Sequence, residues 1–531
     1  MMRGLIFLMA LLILGNVSGQ NRDSVQGFVL NPIVVAAENN FIENDSALKP
    51  FFLMLDSLKT KKKKKLTIVH IGDSHLQGDY LARTIRYRLQ HEFGEAGRGM
   101  VFPYSLLNMY GPVDYKCVSN VPWQHSRMFP RERNGPVGLV GYAVMNQSQN
   151  MKLTIQLQRP NPLYYGALTN FNDYPTNQFN KLSILYSNDS LGLPLNVSGM
   201  RDDNTLGRPM ELPQYNPNQG GFQLGEVNLE STFTSLQIQA DTHRRFTKPV
   251  RLYGLSFENT NAHGILYHMA GVGACQLSDF MGTTYFFKHL VSLKPDLVII
   301  SLGANESCTP GFDTIGYSGK LKQVIADLRN SLPGVQVLIT TPPDILFRRT
   351  RPPSMDAICR TLEHTAFAAN TGFWNLNKNM GGAWSNAYWF QNKLAGPDRI
   401  HFAPRGYDFL GLLLTEALYN SYYRYALTPI DTQSIRNSSL AYRNLFTALQ
   451  VNKIKSSNPL QPTVIPVRNN PQIPVNHRQY NPHGAKYHRV VKGESVYSIS
   501  RKYGVNHKEV LRLNGFTAKT IIRPGQTIRI R

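Results

Sequence analysis

Three short segments carry side chains whose types and spacing could do chemistry together. Gly72-Asp73-Ser74-His75 offers a serine hydroxyl in a turn. Gly303-Ala304-Asn305-Glu306 offers a carboxamide beside a carboxyl. Asp398-Arg399-Ile400-His401 sets an acid three residues before a histidine, so one short loop presents both. A serine hydroxyl is a weak nucleophile until an imidazole takes its proton, and the imidazole needs an acceptor that fixes its tautomer. Ser74, His401 and Asp398 are therefore the candidate nucleophile, general base and orienting acid. The chemistry would be attack on an acyl carbon, with the charge on the acyl oxygen taken up by fixed donors. Each segment alone is a weak signal, because an isolated Asp-x-x-His is commonly a surface turn.

The elements around them supply the missing weight. Residues 66–71 form an apolar strand that ends at Gly72, and 79–93 reads as a helix. Residues 296–301 and 335–340 are further buried-type strands, and helices are predicted at 45–60, 320–330, 356–370 and 404–424. Strand–turn–helix repeats of this kind make a parallel α/β sheet, and the turns after its strands share the carboxyl edge where open sheets bind ligands. Residues 100–265 have another texture. Short alternating runs such as 153–157, 182–186 and 236–240 sit between clusters of Asn, Pro and Gly. They predict an antiparallel β-sandwich inserted into the α/β domain, with a core of its own.

These residues, in this order, resemble the SGNH/GDSL hydrolase superfamily over about 66–95 and 267–425. The resemblance implies a flavodoxin-like three-layer α/β/α domain acting as a carboxylic ester hydrolase, with no metal and no cofactor. It implies an oxyanion hole from the Ser74 N–H, a glycine N–H in Gly271-Val272-Gly273-Ala274, and the Asn305 side chain. Gly273 is the favoured glycine, because Gly-Ala follows the usual loop of the family. Glu306 stands where Asp is more usual after the asparagine, and His75 where Leu is frequent. Leu252 to Asn259, Gly264 to His268 and Gly271 to Ala274 are similar to peptidoglycan O-acetylesterases of this superfamily, which carry an inserted sandwich of carbohydrate-binding type.

Residues 487–531 read as strand, helix at 496–503, helix at 505–514, and strand. Val490-x-x-Gly493-Glu494-Ser495, Leu513-Asn514-Gly515 and Pro524-Gly525-Gln526 closely resemble a LysM domain, a βααβ module. LysM modules bind N-acetylglucosamine-containing glycans. By position the groove would be Glu494, Ser495 and Val496 facing Asn514, Ile521 and Ile522, unless these residues only define turns and core.

Composition places the molecule. There are 57 Lys+Arg against 34 Asp+Glu, a net charge of +23, with charged residues only 17% of the chain. That balance suits a polyanionic environment. Residues 451–531 hold fifteen Lys+Arg and only Glu494 and Glu509, so more than half of the net charge lies there. Met1 to Arg3, the apolar run Gly4–Leu14 and the small residues 17–19 predict a signal peptide over 1–19, and hence export to the periplasm or cell envelope of a bacterium. Export disfavours a nucleic-acid partner. No later stretch is long enough to span a membrane. Residues 455–485 carry six of the 32 prolines and no acid, and read as an extended linker. Cys117, Cys275, Cys308 and Cys359 lack metal-ligand spacing, and their three full pairings stay open.

Two other features invite weaker readings. Lys61 to Lys65 is a helix-end charge run on the far side of the sheet from Ser74. Trp374, Trp384 and Trp389 are either core residues or a sugar-stacking platform beside the Asp398 loop.

The expected organisation is thus signal peptide 1–19, hydrolase 45–99 and 266–450, insertion 100–265, linker 455–485 and LysM 487–531. The expected activity is that of a secreted serine esterase removing O-acetyl groups from muramyl residues of peptidoglycan through an acyl-enzyme. The alternatives are an acetylesterase for another polysaccharide such as a hemicellulose, a lipase or thioesterase, and a non-enzymatic wall-binding protein. Acyl group, exact glycan, sugar binding by the insertion, and oligomeric state are not legible.

Overall fold

Five strands make one parallel sheet: β1 (Lys65–Gly72), β2 (Gly264–Gly271), β3 (Leu297–Ser301), β4 (Gln336–Thr340) and β5 (Gly372–Trp374), in the order β2-β1-β3-β4-β5. The computed structural model describes residues 34–427 apart from 129–134, 159–174, 188–194, 214–220 and 244–248. It also describes 487–530 apart from 492–493, 497–498, 501–502, 504, 515, 518–519, 521 and 524. The expected signal peptide 1–19 and linker 455–485 lie outside the described residues. The chain divides into two compact units, Met1–Asn458 and Pro459–Arg531.

Side chains of a strand alternate between faces, and β1 uses both. Leu66 and Ile68 join one core cluster with Leu297, Ile299 and Leu338, covered by helices Lys49–Lys59, Tyr80–Phe93 and Pro404–Tyr422. Val69 and Ile71 join the other with Val298, Ile300, Val337 and Ile339, covered by helices Thr314–Ser331 and Met355–Ala368. This is the three-layer α/β/α arrangement. Helix Tyr80–Phe93 stops at Gly94, whose φ of 92° is cheap only for glycine. Pro404 opens the last helix, where a missing N–H costs nothing.

Two antiparallel sheets fill most of 99–258. One runs Gln223–Phe233, Phe179–Ser187, Val250–Glu258, Tyr142–Asn146 and Gln124–Arg127, with Gly99–Val101 also on Val250–Glu258. The other runs Tyr115–Ser119, Lys152–Leu157, Ser235–Ala240, Leu195–Met200 and Met210–Glu211. Among the described residues, the buried side chains of the two antiparallel sheets form one continuous cluster with a face of the parallel sheet. Gly264 opens β2 beside Lys65.

A buried ionic quartet fastens the insertion to the segment that follows Ser74. Arg86 donates to both oxygens of Asp79, at 3.0 and 2.8 Å, and to Asp114 at 2.8 Å. Arg98 donates to Asp79 at 2.7 Å and to Asp114 at 2.9 Å. All four side chains are sealed from solvent. Two cations against two anions leave no net buried charge, and removing any one would strand its partners. Lys63 pairs with Asp296 at 3.0 Å, at the amino end of the sheet.

The C-terminal unit is small. Tyr487–Arg489 pairs antiparallel with Thr527–Arg529, and helix His507–Leu513 packs its Val510 with Val490, Val496, Ile499, Ile528 and Ile530. Among the described residues no helix is long and apolar enough to cross a membrane.

Candidate active site

Strand register builds the site. At the carboxyl edge Gly271 of β2, Gly72 of β1 and Ser301 of β3 lie side by side, with Thr340 of β4 next to Ser301. The segments that follow, 272–276, 73–77 and 302–307, therefore emerge as neighbours. Ser74 opens the short helix Ser74–Gln77, so its N–H is one of the orphan donors of a helix start. Asp73 caps that helix, accepting from the His75 N–H at 2.9 Å. Gly271 allows the close approach, because a Cβ there would lie 2.3 Å from the Gln77 nitrogen.

The Asp398 loop reaches Ser74 from the opposite wall. His401 Nε2 lies 2.9 Å from Ser74 Oγ, and His401 Nδ1 lies 2.7 Å from Asp398 Oδ2. The other carboxylate oxygen accepts the N–H groups of Ile400 and His401, both at 3.0 Å. Arg399 takes φ 55° so that the turn can close. Burial pushes the Asp398 carboxyl up, but the bonds from the His401 ring and from the two N–H groups outweigh it, and its pKa falls below the ordinary value. A charged carboxylate only accepts, so Nδ1 carries the ring proton and Nε2 presents its lone pair to Ser74.

Asn305, in the one-turn helix Ala304–Ser307, donates from Nδ2 to the Cys275 carbonyl at 2.9 Å. One amide hydrogen thus holds the 271–276 loop in place and the second is left for a ligand. The Gly273 N–H meets no acceptor among the described residues. Beneath this loop lie two carboxyls. Glu306 accepts the Leu277 N–H at 2.8 Å through Oε1, while Oε2 has no partner among the described residues. Burial raises its pKa. Burial also pushes Asp73 up to about 7, opposed by the bond from His75 and reinforced by Glu306.

His75 packs behind the base, its ring centroid 5.6 Å from that of His401, and its Nδ1 meets the Tyr407 hydroxyl at 3.1 Å. Burial, with some repulsion from His401, lowers its pKa to about 3, so it stays neutral. Under the edge a polar chain crosses four strands. Tyr267 Oη meets His70 Nδ1 at 2.6 Å, His70 Nε2 meets Ser301 Oγ at 2.7 Å, and Thr340 Oγ1 donates to Ser301 Oγ at 2.9 Å. Sequence reasoning passed over it. A histidine inside an otherwise apolar strand was the available signal, since buried polar groups are paired.

Other candidates fall differently. Trp374 and Trp389 are core, with their indole N–H groups on Asn40 and Met380. Trp384 is exposed. All four cysteines are free thiols, and Cys275 is buried against the Gly72 carbonyl.

In the C-terminal unit the candidate glycan contacts are largely occupied with the fold. Glu494 Oε2 meets His488 Nε2 at 2.6 Å and accepts the Val491 N–H at 2.8 Å. Asn514 Nδ2 donates to Val510 O and Arg529 O, and its Oδ1 accepts from Arg529 N, each at 2.7 Å. Val496 is core and Ile522 packs on it, whereas Ser495 is exposed. Ile521 lies outside the described residues.

Residues 242–409 match the model of the GDSL-like lipase/acylhydrolase family, and 488–531 match the LysM domain. The first match contains Gly273, Asn305, Asp398 and His401 but begins after Ser74. A solved structure of a peptidoglycan O-acetylesterase aligns over 71% of this chain and 96% of that chain, at 22% identity and a TM-score of 0.57. A lipase/acylhydrolase from Enterococcus faecalis aligns over 29% and 76%, at 22% identity and a TM-score of 0.25. A family two carbohydrate esterase from Clostridium thermocellum aligns over 56% and 98%, at 10% identity and a TM-score of 0.25. No curated protein matches the sequence significantly. The chain therefore carries a GDSL/SGNH acylhydrolase domain, resembling a peptidoglycan O-acetylesterase in fold, and a C-terminal LysM domain.

Proposed function

We propose that the chain is a serine esterase that removes O-acetyl groups from muramyl residues of peptidoglycan, held on that glycan by its LysM domain at the cell envelope. The observation that carries the catalytic part is the unbroken hydrogen-bonded series Ser74–His401–Asp398 at the carboxyl edge of the sheet. Ser74 Oγ attacks the acetyl carbonyl carbon as its proton passes to His401 Nε2. The carbonyl oxygen becomes an oxyanion facing the N–H groups of Ser74 and Gly273 and the free amide hydrogen of Asn305. Such donors act without reorganising, and each is worth about 10²–10³ in rate. The sugar hydroxyl leaves with the proton from His401. Water then attacks the acetyl-serine as one of its protons passes to His401 Nε2, and His401 hands that proton to Ser74 Oγ as the acyl–oxygen bond breaks and the acetyl group leaves as acetic acid, which ionises to acetate.

The substrate part is supported by the LysM match and by the fold shared with a peptidoglycan O-acetylesterase. Tethering raises the local substrate concentration without any new contact in the site. The test is acetate release from O-acetylated peptidoglycan by the wild type, by Ser74→Ala and by a chain ending near residue 454. Wild type is expected to release acetate, Ser74→Ala none, and the shortened chain less from insoluble wall. Acetate release from acetylated xylan but not from peptidoglycan refutes the substrate; equal activity of the shortened chain on insoluble wall refutes the tether.

A further inference from the structure

The hairpin after β4 and the Asp398 loop are joined main chain to main chain, through a hydrogen bond of 2.8 Å from Leu346 N to Arg399 O. Everything on the next few residues of that hairpin is therefore beside the catalytic loop. Residues 347–350 close a tight turn, with Thr350 N bonded to Phe347 O at 3.1 Å. At roughly 3.5 Å per residue, Arg348 and Arg349 begin within about 7–11 Å of the Leu346–Arg399 junction. Both are exposed, and both hold left-handed backbone, with φ of 52° and 66°. Two consecutive non-glycine residues in that region are uncommon.

The charges on this rim are unbalanced. Arg351, at the base of the hairpin, is neutralised by Asp344 at 3.0 Å and Asp356 at 2.7 Å. Arg348, Arg349 and Arg399 have no carboxylate within reach among the described residues. Asp398 is adjacent in sequence to Arg399, but its oxygens are taken by His401 and two N–H groups. Two of the three guanidinium groups are held by rings: Arg348 lies 5.1 Å from the Phe347 centroid and Arg399 lies 4.3 Å from that of Phe390. Stacking orients a guanidinium while leaving its N–H edge open for a carboxylate. Trp384 completes the rim. The Asp344 carboxylate receives the Asn386 N–H at 3.1 Å, which ties the segment just after Trp384 to the hairpin. Trp384 is 54% exposed and offers a flat apolar face of the kind that a pyranose ring covers.

Resting on the peptidoglycan reading above, we infer that Arg348, Arg349 and Arg399 with Trp384 form a subsite for an anionic, peptide-bearing glycan. The arginines take carboxylates of the peptide attached to the sugar, and Trp384 takes a sugar face. A neutral acetylated polysaccharide would leave the three cations unused, so the subsite sets the substrate class.

The test is a double-mutant cycle on kcat/KM for acetate release from soluble O-acetylated peptidoglycan fragments. Its two arms are Arg348→Gln/Arg349→Gln in the full chain, and fragments whose carboxylates have been converted to methylamides. Each change alone is expected to lower kcat/KM about tenfold, and both together no further, because each removes the same interaction. Rising salt should weaken the wild type on native fragments and not on amidated ones. Equal losses by the variant on native and amidated fragments, or no loss on native ones, overturn the subsite and leave the peptidoglycan reading standing. If the wild type hydrolyses p-nitrophenyl acetate yet releases no acetate from native fragments, the peptidoglycan reading falls and takes the subsite with it.

Discussion

Asp73 precedes Ser74 and is 2% exposed, yet it is an ionisable carboxyl whose neighbours include a second buried carboxyl, Glu306. Burial lifts its pKa from 3.8 to about 7, and Glu306 adds to the lift, while the His75 N–H holds it back. A raised carboxyl pKa makes the folded state keep a proton that the unfolded state loses. This contribution to stability is therefore fully present below about pH 4, falls as pH rises, and is gone once pH passes about 7. A shift from 3.8 to about 7 corresponds to roughly 4 kcal/mol. In Asp73→Asn the amide keeps an oxygen for the His75 N–H, and nothing at position 73 titrates. The amide NH₂ would lack a partner, at a cost of about 1–3 kcal/mol, but that cost does not change with pH. The prediction is therefore a slope: the stability of Asp73→Asn relative to wild type rises by about 2–4 kcal/mol between about pH 4 and about pH 7. Urea unfolding followed by tryptophan fluorescence reads it cleanly, because all four tryptophans (Trp123, Trp374, Trp384 and Trp389) lie in the hydrolase unit. Stability curves that run parallel from about pH 4 to about pH 7 would refute the reasoning.

Asp398→Asn puts an NH₂ group against His401 Nδ1 and moves the ring proton to Nε2, so kcat on p-nitrophenyl acetate should fall about 10²–10⁴-fold. Because the Asp398 pKa is already below 3.8, any loss of wild-type activity above about pH 4 comes from another group, and a pH–rate profile checks this. Asn305→Ala removes both the proposed oxyanion donor and the bond to Cys275, so kcat should fall about 10²–10³-fold with KM changed much less. Asn514→Ala breaks the two bonds that join the end of the LysM helix to Arg529 of the last strand and a third to Val510 O within the helix, at about 2–3 kcal/mol, and limited proteolysis of the full chain should cut the C-terminal unit faster.

How far the sequence could be read follows from what each residue is asked to do. That Ser74, Asp398 and His401 would meet was legible because local motifs present them and long apolar strands announce the edge they sit on. β5 was not, since three residues carry no periodicity. Nor was the quartet of Asp79, Arg86, Arg98 and Asp114: charges on an amphipathic helix read as a solvated face, and only the insertion folding back over them makes them core. The LysM candidates show the same ambiguity from the other side. A polar residue at a turn either faces a ligand or caps its own backbone, and for Glu494 and Asn514 the hydrogen bonds go inward. Most telling is the family match that begins after Ser74. The insertion lies wholly between β1 and β2, and a reading confined to contiguous chain loses Ser74 there. Parallel pairing from Lys65–Gly264 to Gly72–Gly271 closes that gap. Ser74 therefore owes its place beside Asn305 and His401 to strand register, and a slip of one residue in β1 would exchange the side chains sent to its two buried faces and carry Ser74 one position out of line with Ser301 and Gly271.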